Sequence, residues 1–251
     1  LTGFDAAGQP QTRAPKRKIT INDLFLHTSG LSYEFFSAAD LQYRTARGIP
    51  TIVSCTFDSM RSVLQHDPGE AWSYGVNIDW LGRVVEKIRG KRLGEVMRER
   101  LFEPLNMVDI GFTMTPGMQE RRVSIHDRNE HGQLTPLPDL VLPQPPEMDC
   151  GGHGLYATVG EYMKFIRMIL NDGMGEGVRV LKPETIALMG KDGLAELGLS
   201  SSGWTTSIPS LSNSGEFFAG QDKGWSYSFL FNREKTPTGR PAGSMMWTGL
   251  A

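Results

Sequence analysis

Trp72-Ser73-Tyr74-Gly75-Val76-Asn77 runs directly into Ile78-Asp79-Trp80-Leu81-Gly82-Arg83-Val84-Val85-Glu86. A phenol here stands on a glycine-broken turn where an amphipathic helix begins. From Ile78 the apolar residues Leu81, Val84, Val85 and Ile88 recur at helical spacing, and Gly90 supplies a stop. One face of this helix is predicted to anchor in a core and to hold Tyr74 at the helix mouth. A tyrosine ionises near ~10 in water, so service as a base at neutral pH needs cationic neighbours that stabilise the phenolate. The plainer alternative is a core tyrosine with a satisfied hydroxyl, because buried tyrosines usually pack.

Two further segments flank this one. Upstream is Ile19-Thr20-Ile21-Asn22-Asp23-Leu24-Phe25-Leu26-His27-Thr28-Ser29-Gly30-Leu31, and downstream is Gly151-Gly152-His153-Gly154-Leu155-Tyr156-Ala157-Thr158. Three such segments in this order resemble the β-lactamase-like serine hydrolases, which comprise class C β-lactamases, related carboxylesterases, DD-peptidases and the fungal-type acyltransferases of statin precursors. The resemblance runs from Leu1 to Asp172 and resumes from Gly243 to Ala251. It implies an α+β fold of the β-lactamase/transpeptidase type. In that family an antiparallel sheet is assembled from the first and last parts of the chain, with a helical lobe inserted between.

The 251 residues, 39 % hydrophobic and 22 % charged, suffice for one large domain or two interleaved ones. A net charge of −2 gives no electrostatic reason to expect a nucleic-acid or membrane-surface partner, and no apolar run approaches the ~20 residues needed to span a bilayer. Leu1-Thr2-Gly3-Phe4-Asp5 reads as the interior of a longer sequence. The compartment is left open, with the cytoplasm slightly favoured over the periplasm. Cys55 and Cys150 pair only if the fold brings them together, and both are expected to be free and at least half-buried. The five histidines form no HExxH-type pair, so neither a metal nor a cofactor is expected.

Along the chain, Thr20 and Asp23 predict a capped helix ending at Ser29-Gly30. Residues 37–64 read as a short helix and a crossing loop. Leu93 to Phe102 forms a second amphipathic helix stopped by Pro104, and 115–146 a long polar loop. Thr158 to Glu161 is a capping box before a helix lined by Tyr162, Phe165, Ile166, Ile169 and Leu170. Pro183 starts another helix through Met189, and 199–218 reads as loop. Trp225 to Phe231 and Gly243 to Thr248 look like two strands. Residues 1–198 are thus expected to form mainly the helical lobe, and 199–251 a loop region and sheet strands, the domain being incomplete at both ends.

Acyl transfer through a covalent intermediate needs a nucleophile, a base in reach and donors aimed at the developing oxyanion. The family's nucleophile lies in a Ser-x-x-Lys motif. No serine here has lysine three residues on, and no Gly-x-Ser-x-Gly elbow exists; the nucleophile is therefore expected N-terminal to Leu1. By the resemblance, Tyr74 is the catalytic tyrosine that accepts the serine proton and returns it to the leaving group. The class C pattern is Tyr-x-Asn, whereas here position 76 is Val and Asn77 follows one place late; the statin-type acyltransferases, with a Tyr-Gly-x-Asn-x-Asp-Trp run, match better. The strand bearing Lys-Thr-Gly in β-lactamases has its best match in Trp247-Thr248-Gly249, followed by Leu250. Trp247 in place of lysine removes a cation for a substrate carboxylate and favours apolar acyl groups.

The expected substrate contacts are accordingly Asn77, Gly152, His153, Trp247, Thr248 and Gly249, with the Leu250 N–H as oxyanion donor. Alternatives remain at two of these. Gly151-Gly152 could be only a tight turn, and Trp247 an ordinary strand aromatic. His27 and Ser29, tempting as a dyad, more often serve as a helix cap. The expected activity is ester hydrolysis or transesterification through an acyl-enzyme, on a small-molecule ester or amide. Competing readings are a β-lactamase or DD-peptidase proper, a nucleophile-less ligand-binding homologue, and a structural domain. The oligomeric state is open.

Overall fold

The computed structural model describes residues 1–129 and 131–249. Seven α-helices carry the described part of the chain: α1 (Ile21–Phe25), α2 (Ala38–Arg47), α3 (Asn77–Arg89), α4 (Leu93–Met97), α5 (Pro116–Glu120), α6 (Val159–Leu170) and α7 (Pro183–Met189). The predicted start signals act as expected. The Thr20 hydroxyl accepts from the Asp23 N–H while the Asp23 carboxylate accepts from the Thr20 N–H, and the Thr158 hydroxyl accepts from the Glu161 N–H. Gly90 ends α3 in the left-handed conformation. Two differences are informative. Helix α1 stops at Leu26 rather than at Ser29-Gly30, because His27 turns the chain with φ +53°. Ile88, counted on the buried face of α3, is 71 % exposed, since the helix is covered only over its first turns.

The strands are short and more widely spread than predicted. They are β1 (Gly3–Phe4), β2 (Pro10–Gln11), β3 (Ile110–Gly111), β4 (Ile125–Arg128), β5 (Leu134–Leu137), β6 (Tyr156–Ala157), β7 (Met174–Gly175), β8 (Val178–Arg179), β9 (Lys223–Trp225), β10 (Leu230–Asn232) and β11 (Met245–Met246). The largest sheet runs antiparallel in the order β11-β10-β9, pairing Leu230 with both Met246 and Trp225. Trp225 to Phe231, expected as one strand, is a hairpin: the Ser226 hydroxyl accepts the Ser228 and Phe229 N–H groups and turns the chain. The predicted polar loop 115–146 instead contains α5 and the exposed β4–β5 hairpin.

Three apolar clusters hold the elements together, and two of them meet at the Tyr74 turn. One gathers Leu24, Leu31, Tyr33, Phe35, Val76 and Leu81 with Met148 and Cys150. The other joins Leu26 and Trp72 to Leu194, Trp225 and Leu230, and so ties α1 to the sheet. Tyr74 packs on both. The third, around Phe102, Leu105 and Met168, binds α6 to the segment after α4. Among the described residues no helix is long and apolar enough to cross a membrane.

Candidate active site

The turn that presents Tyr74 is fixed from behind. The Ser73 N–H donates to the His27 carbonyl at 2.8 Å. A Cβ on Gly75 would lie 2.4 Å from Ser32 Cα, so only glycine permits the chain to pass this close. The phenol ring stands among aromatic rings, with centroids at 4.6 Å for Trp247, 4.7 Å for His27, 5.5 Å for Tyr33 and 6.0 Å for Trp225. Its oxygen accepts the Trp247 indole N–H at 3.0 Å. Burial raises the Tyr74 pKa to about 12; the Trp247 hydrogen bond lowers it and the Asp79 charge raises it further. None of these influences is a cation, so in these surroundings the phenol holds its proton at neutral pH.

Asn77, expected to contact substrate, is instead a structural link. Its side chain is fully buried. The Asn77 carbonyl oxygen accepts from the Ser29 hydroxyl, and its amide faces His27 Nδ1 at 3.0 Å. His27 Nδ1 also accepts the Gly75 N–H at 3.4 Å, so its proton lies on Nε2. Complete burial lowers the His27 pKa to about 3, leaving the ring neutral. His27 and Ser29 are thus joined through Asn77 rather than to each other as a dyad. The amide is used up holding α1 to α3, which is why Asn77 has nothing left for a ligand.

Gly152 and His153 are likewise committed to the protein. The Asp79 carboxylate, 1 % exposed, receives the Gly152 N–H at 2.9 Å and the Tyr33 hydroxyl at 3.1 Å. A Cβ on Gly152 would lie 2.6 Å from Tyr33 Oη and 2.8 Å from Asp79 Oδ2, so the glycine serves the close approach of two buried groups. His153 Nδ1 lies 3.6 Å from the same carboxylate and Nε2 lies 3.7 Å from Cys55 Sγ. Burial opposes a charge on His153, but Asp79 and Cys55 outweigh it and raise its pKa to about 10. Both ring nitrogens therefore face protein groups, while the His153 side chain stays 22 % exposed. Sequence reasoning passed over Tyr33 and Asp79; the signal available was Asp79 inside the Tyr74 run itself.

Trp247 follows β11 and closes the aromatic wall, with Trp225 at 4.7 Å, Phe217 at 5.8 Å and Trp204 at 6.5 Å between ring centroids. Trp204 and Phe217 come from the stretch read only as loop. Thr248 and Gly249 continue from Trp247 and are exposed. Leu250 lies outside the described residues. The structure thus brings Tyr74 and Trp247 together, with Thr248 and Gly249 next in the chain, and places Asn77, Gly152 and His153 against the buried groups behind Tyr74.

The fold is α+β, with helices and antiparallel strands arranged as in β-lactamases and transpeptidases, and a profile of the Beta-lactamase family matches residues 9–250. The chain belongs to that family. An acyltransferase of Monascus pilosus, mokF, is 36 % identical over 194 residues, covering 75 % of this chain and 46 % of the relative. Lovastatin esterase of Penicillium rubens is 33 % identical over 195 residues, covering 74 % of this chain and 47 % of the relative. Among solved structures, the LovD6 mutant of simvastatin synthase from Aspergillus terreus aligns with a TM-score of 0.79 at 29 % identity, covering 99 % of this chain and 61 % of that one. These relatives are enzymes, acyltransferases and an esterase by name. The chain spans about half the length of the curated relatives it matches.

Proposed function

We propose that this chain supplies the acid–base tyrosine and the acyl-binding wall of an enzyme that transfers or hydrolyses acyl groups of small-molecule esters through a serine acyl-enzyme. The observation that carries this reading is the Tyr74 hydroxyl, held by Trp247 at 3.0 Å and walled by aromatic rings. The names of its relatives, an acyltransferase and a statin esterase, support the ester class. In the proposed reaction a serine outside these 251 residues attacks the ester carbonyl while its proton passes to Tyr74. Collapse of the tetrahedral adduct expels the alkoxide, which takes that proton back from Tyr74. Water or an acceptor alcohol then repeats the steps in reverse on the acyl-enzyme. A phenol pushed up to about 12 is a poor base by itself; the lysine of a Ser-x-x-Lys motif beside it provides the cation that brings it down.

Trp247 both orients the phenol and offers an apolar face to the acyl chain. Thr248 and Gly249 border the scissile bond, and the Leu250 N–H is the proposed oxyanion donor. Residues 1–198 act as the helical lobe and 199–251 as loop and sheet strands of a larger α/β part. The competing reading is a ligand-binding homologue without a nucleophile. Fluorophosphonate labelling of the full-length protein, mapped by peptide mass spectrometry, separates the two. A stoichiometric adduct on a Ser-x-x-Lys serine outside residues 1–251 is expected. An adduct on a serine within them, or none at all, sinks the proposed mechanism. On the same preparation kcat/KM for a p-nitrophenyl short-chain ester should exceed that for a chromogenic cephalosporin, since Trp247 stands where a lysine would clamp the β-lactam carboxylate.

A further inference from the structure

Behind the aromatic site, and packed against it, lies a cluster that the acyl-transfer chemistry does not use. Cys55 and Cys150 are 95 residues apart in sequence, yet both are buried at 1 % and 2 % exposure with free thiols. The fold brings them together because the Met148 N–H donates to the Cys55 carbonyl at 3.0 Å, laying the two segments side by side. His153 completes the group. The two sulfurs and an imidazole nitrogen all lie within 4.8 Å of one another, and Cys55 Sγ to His153 Nε2 is 3.7 Å. Two thiolates and one imidazole are a zinc-type donor set. With metal–sulfur bonds of ~2.3 Å and metal–nitrogen bonds of ~2.0 Å, a tetrahedral ion spans its sulfur and nitrogen donors by ~3.6 Å, close to the spacing found.

The surroundings fit a held ion as well. His153 turns its other nitrogen, Nδ1, to the Asp79 carboxylate at 3.6 Å. This is the carboxylate–histidine arrangement that fixes the ring and the tautomer of metal-binding imidazoles. Asp79 is in turn immobilised by the Tyr33 hydroxyl and the Gly152 N–H. Cys55 adopts φ +51°, a strained conformation for a non-glycine residue that aims its side chain into the cluster. A divalent ion cancels the charge of the two thiolates it needs, so the ion and its three ligands form a neutral buried centre.

We propose that Cys55, Cys150 and His153 bind a thiophilic divalent cation of the zinc class, with Asp79 orienting His153 and a water completing the tetrahedron. The ion is structural in effect. It clips the 55 and 150 segments to the start of α3, from which Tyr74 is presented, and it takes no part in acyl transfer. The reduced, chelator-treated full-length protein should bind one equivalent of Zn²⁺ per chain in competition with a chromogenic chelator. Replacement by Co²⁺ should give a thiolate-to-metal charge-transfer band, and binding should raise Tm by several degrees. Cys55→Ser and Cys150→Ser should abolish the band. His153→Gln, which keeps both thiols, should weaken zinc at least tenfold, and Asp79→Asn should do so by ~10–100-fold. If either serine variant fails to fold, the charge-transfer band of the parent and its weakening in His153→Gln still decide. Less than a tenth of an equivalent bound by the reduced parent overturns the proposal. So does a band that persists in Cys55→Ser, or a protein that forms a Cys55–Cys150 disulfide while zinc is in excess.

Discussion

Replacing Asn77 by alanine separates structural linkage from substrate recognition at the centre of the site. The Asn77 amide is fully buried, as are its partners His27 and Ser29. Truncation strips the Ser29 hydroxyl of its acceptor and His27 Nδ1 of its shorter donor, leaving only the Gly75 N–H at 3.4 Å. Each buried polar group left without a partner costs ~1–3 kcal/mol. The void left by the amide adds ~1 kcal/mol at ~24 cal/mol per Å³. The sum is ~4 kcal/mol, and for a domain of this size each kcal/mol lowers Tm by ~2–4 °C, so a fall of ~8–16 °C is expected. Differential scanning calorimetry measures it, with ester kinetics on the same sample below the transition. KM should stay within about threefold of the parent, because the amide faces protein and not substrate. A Tm within 2 °C of the parent together with a tenfold rise in KM would refute the reasoning and return Asn77 to the substrate.

Tyr74→Phe in the full-length protein should lower kcat by ~10²–10⁴ with an unchanged fold; turnover within threefold of the parent removes Tyr74 as the proton carrier. Gly152→Ala forces a methyl against Tyr33 Oη and Asp79 Oδ2 and should cost ~2–3 kcal/mol by urea denaturation, whereas an unperturbed midpoint would show that the 151–154 turn yields freely. Acid should destabilise the protein in two windows. His27, at about 3, and Asp23, at about 2, both titrate below their unfolded values. Burial sets the His27 shift. For Asp23 burial opposes the shift, and hydrogen bonds from Arg17 and Thr20 prevail. Groups depressed in this sense stabilise the fold above their unfolded pKa and lose that contribution as pH falls. His27 therefore removes up to ~4 kcal/mol from pH ~6.5 downward, and Asp23 ~1 kcal/mol below pH ~4 after allowance for the exposed Arg17. Equal urea midpoints at pH 7 and pH 4.5 would contradict the neutral, buried His27.

What the sequence by itself determined was local. The Thr20–Asp23 and Thr158–Glu161 caps, the Gly90 stop and the Pro183 start are set by backbone groups within a few residues of one another, so α1, α3, α6 and α7 were legible in the chain. Tyr74 was legible because its run of residues has a characteristic order, and that order was sufficient to name the family. The tertiary structure decided everything that depends on residues far apart. The same Tyr74 run contains Asn77, which looks like a ligand contact until Ser29 and His27, nearly fifty residues upstream, are found bonded to it. His153 and Gly152 read as cleft residues until Asp79 and Tyr33 are seen to occupy them. Trp204 and Phe217 sit in a stretch without periodicity, and only packing against Trp247 gives them a place in the aromatic wall. Cys55 and Cys150 carry no spacing signal, because a ligand set assembled across 95 residues is defined by the path of the backbone and not by its order. Periodicity and capping report interactions within one turn of chain, whereas a polar side chain's role is fixed by whichever distant partner reaches it first.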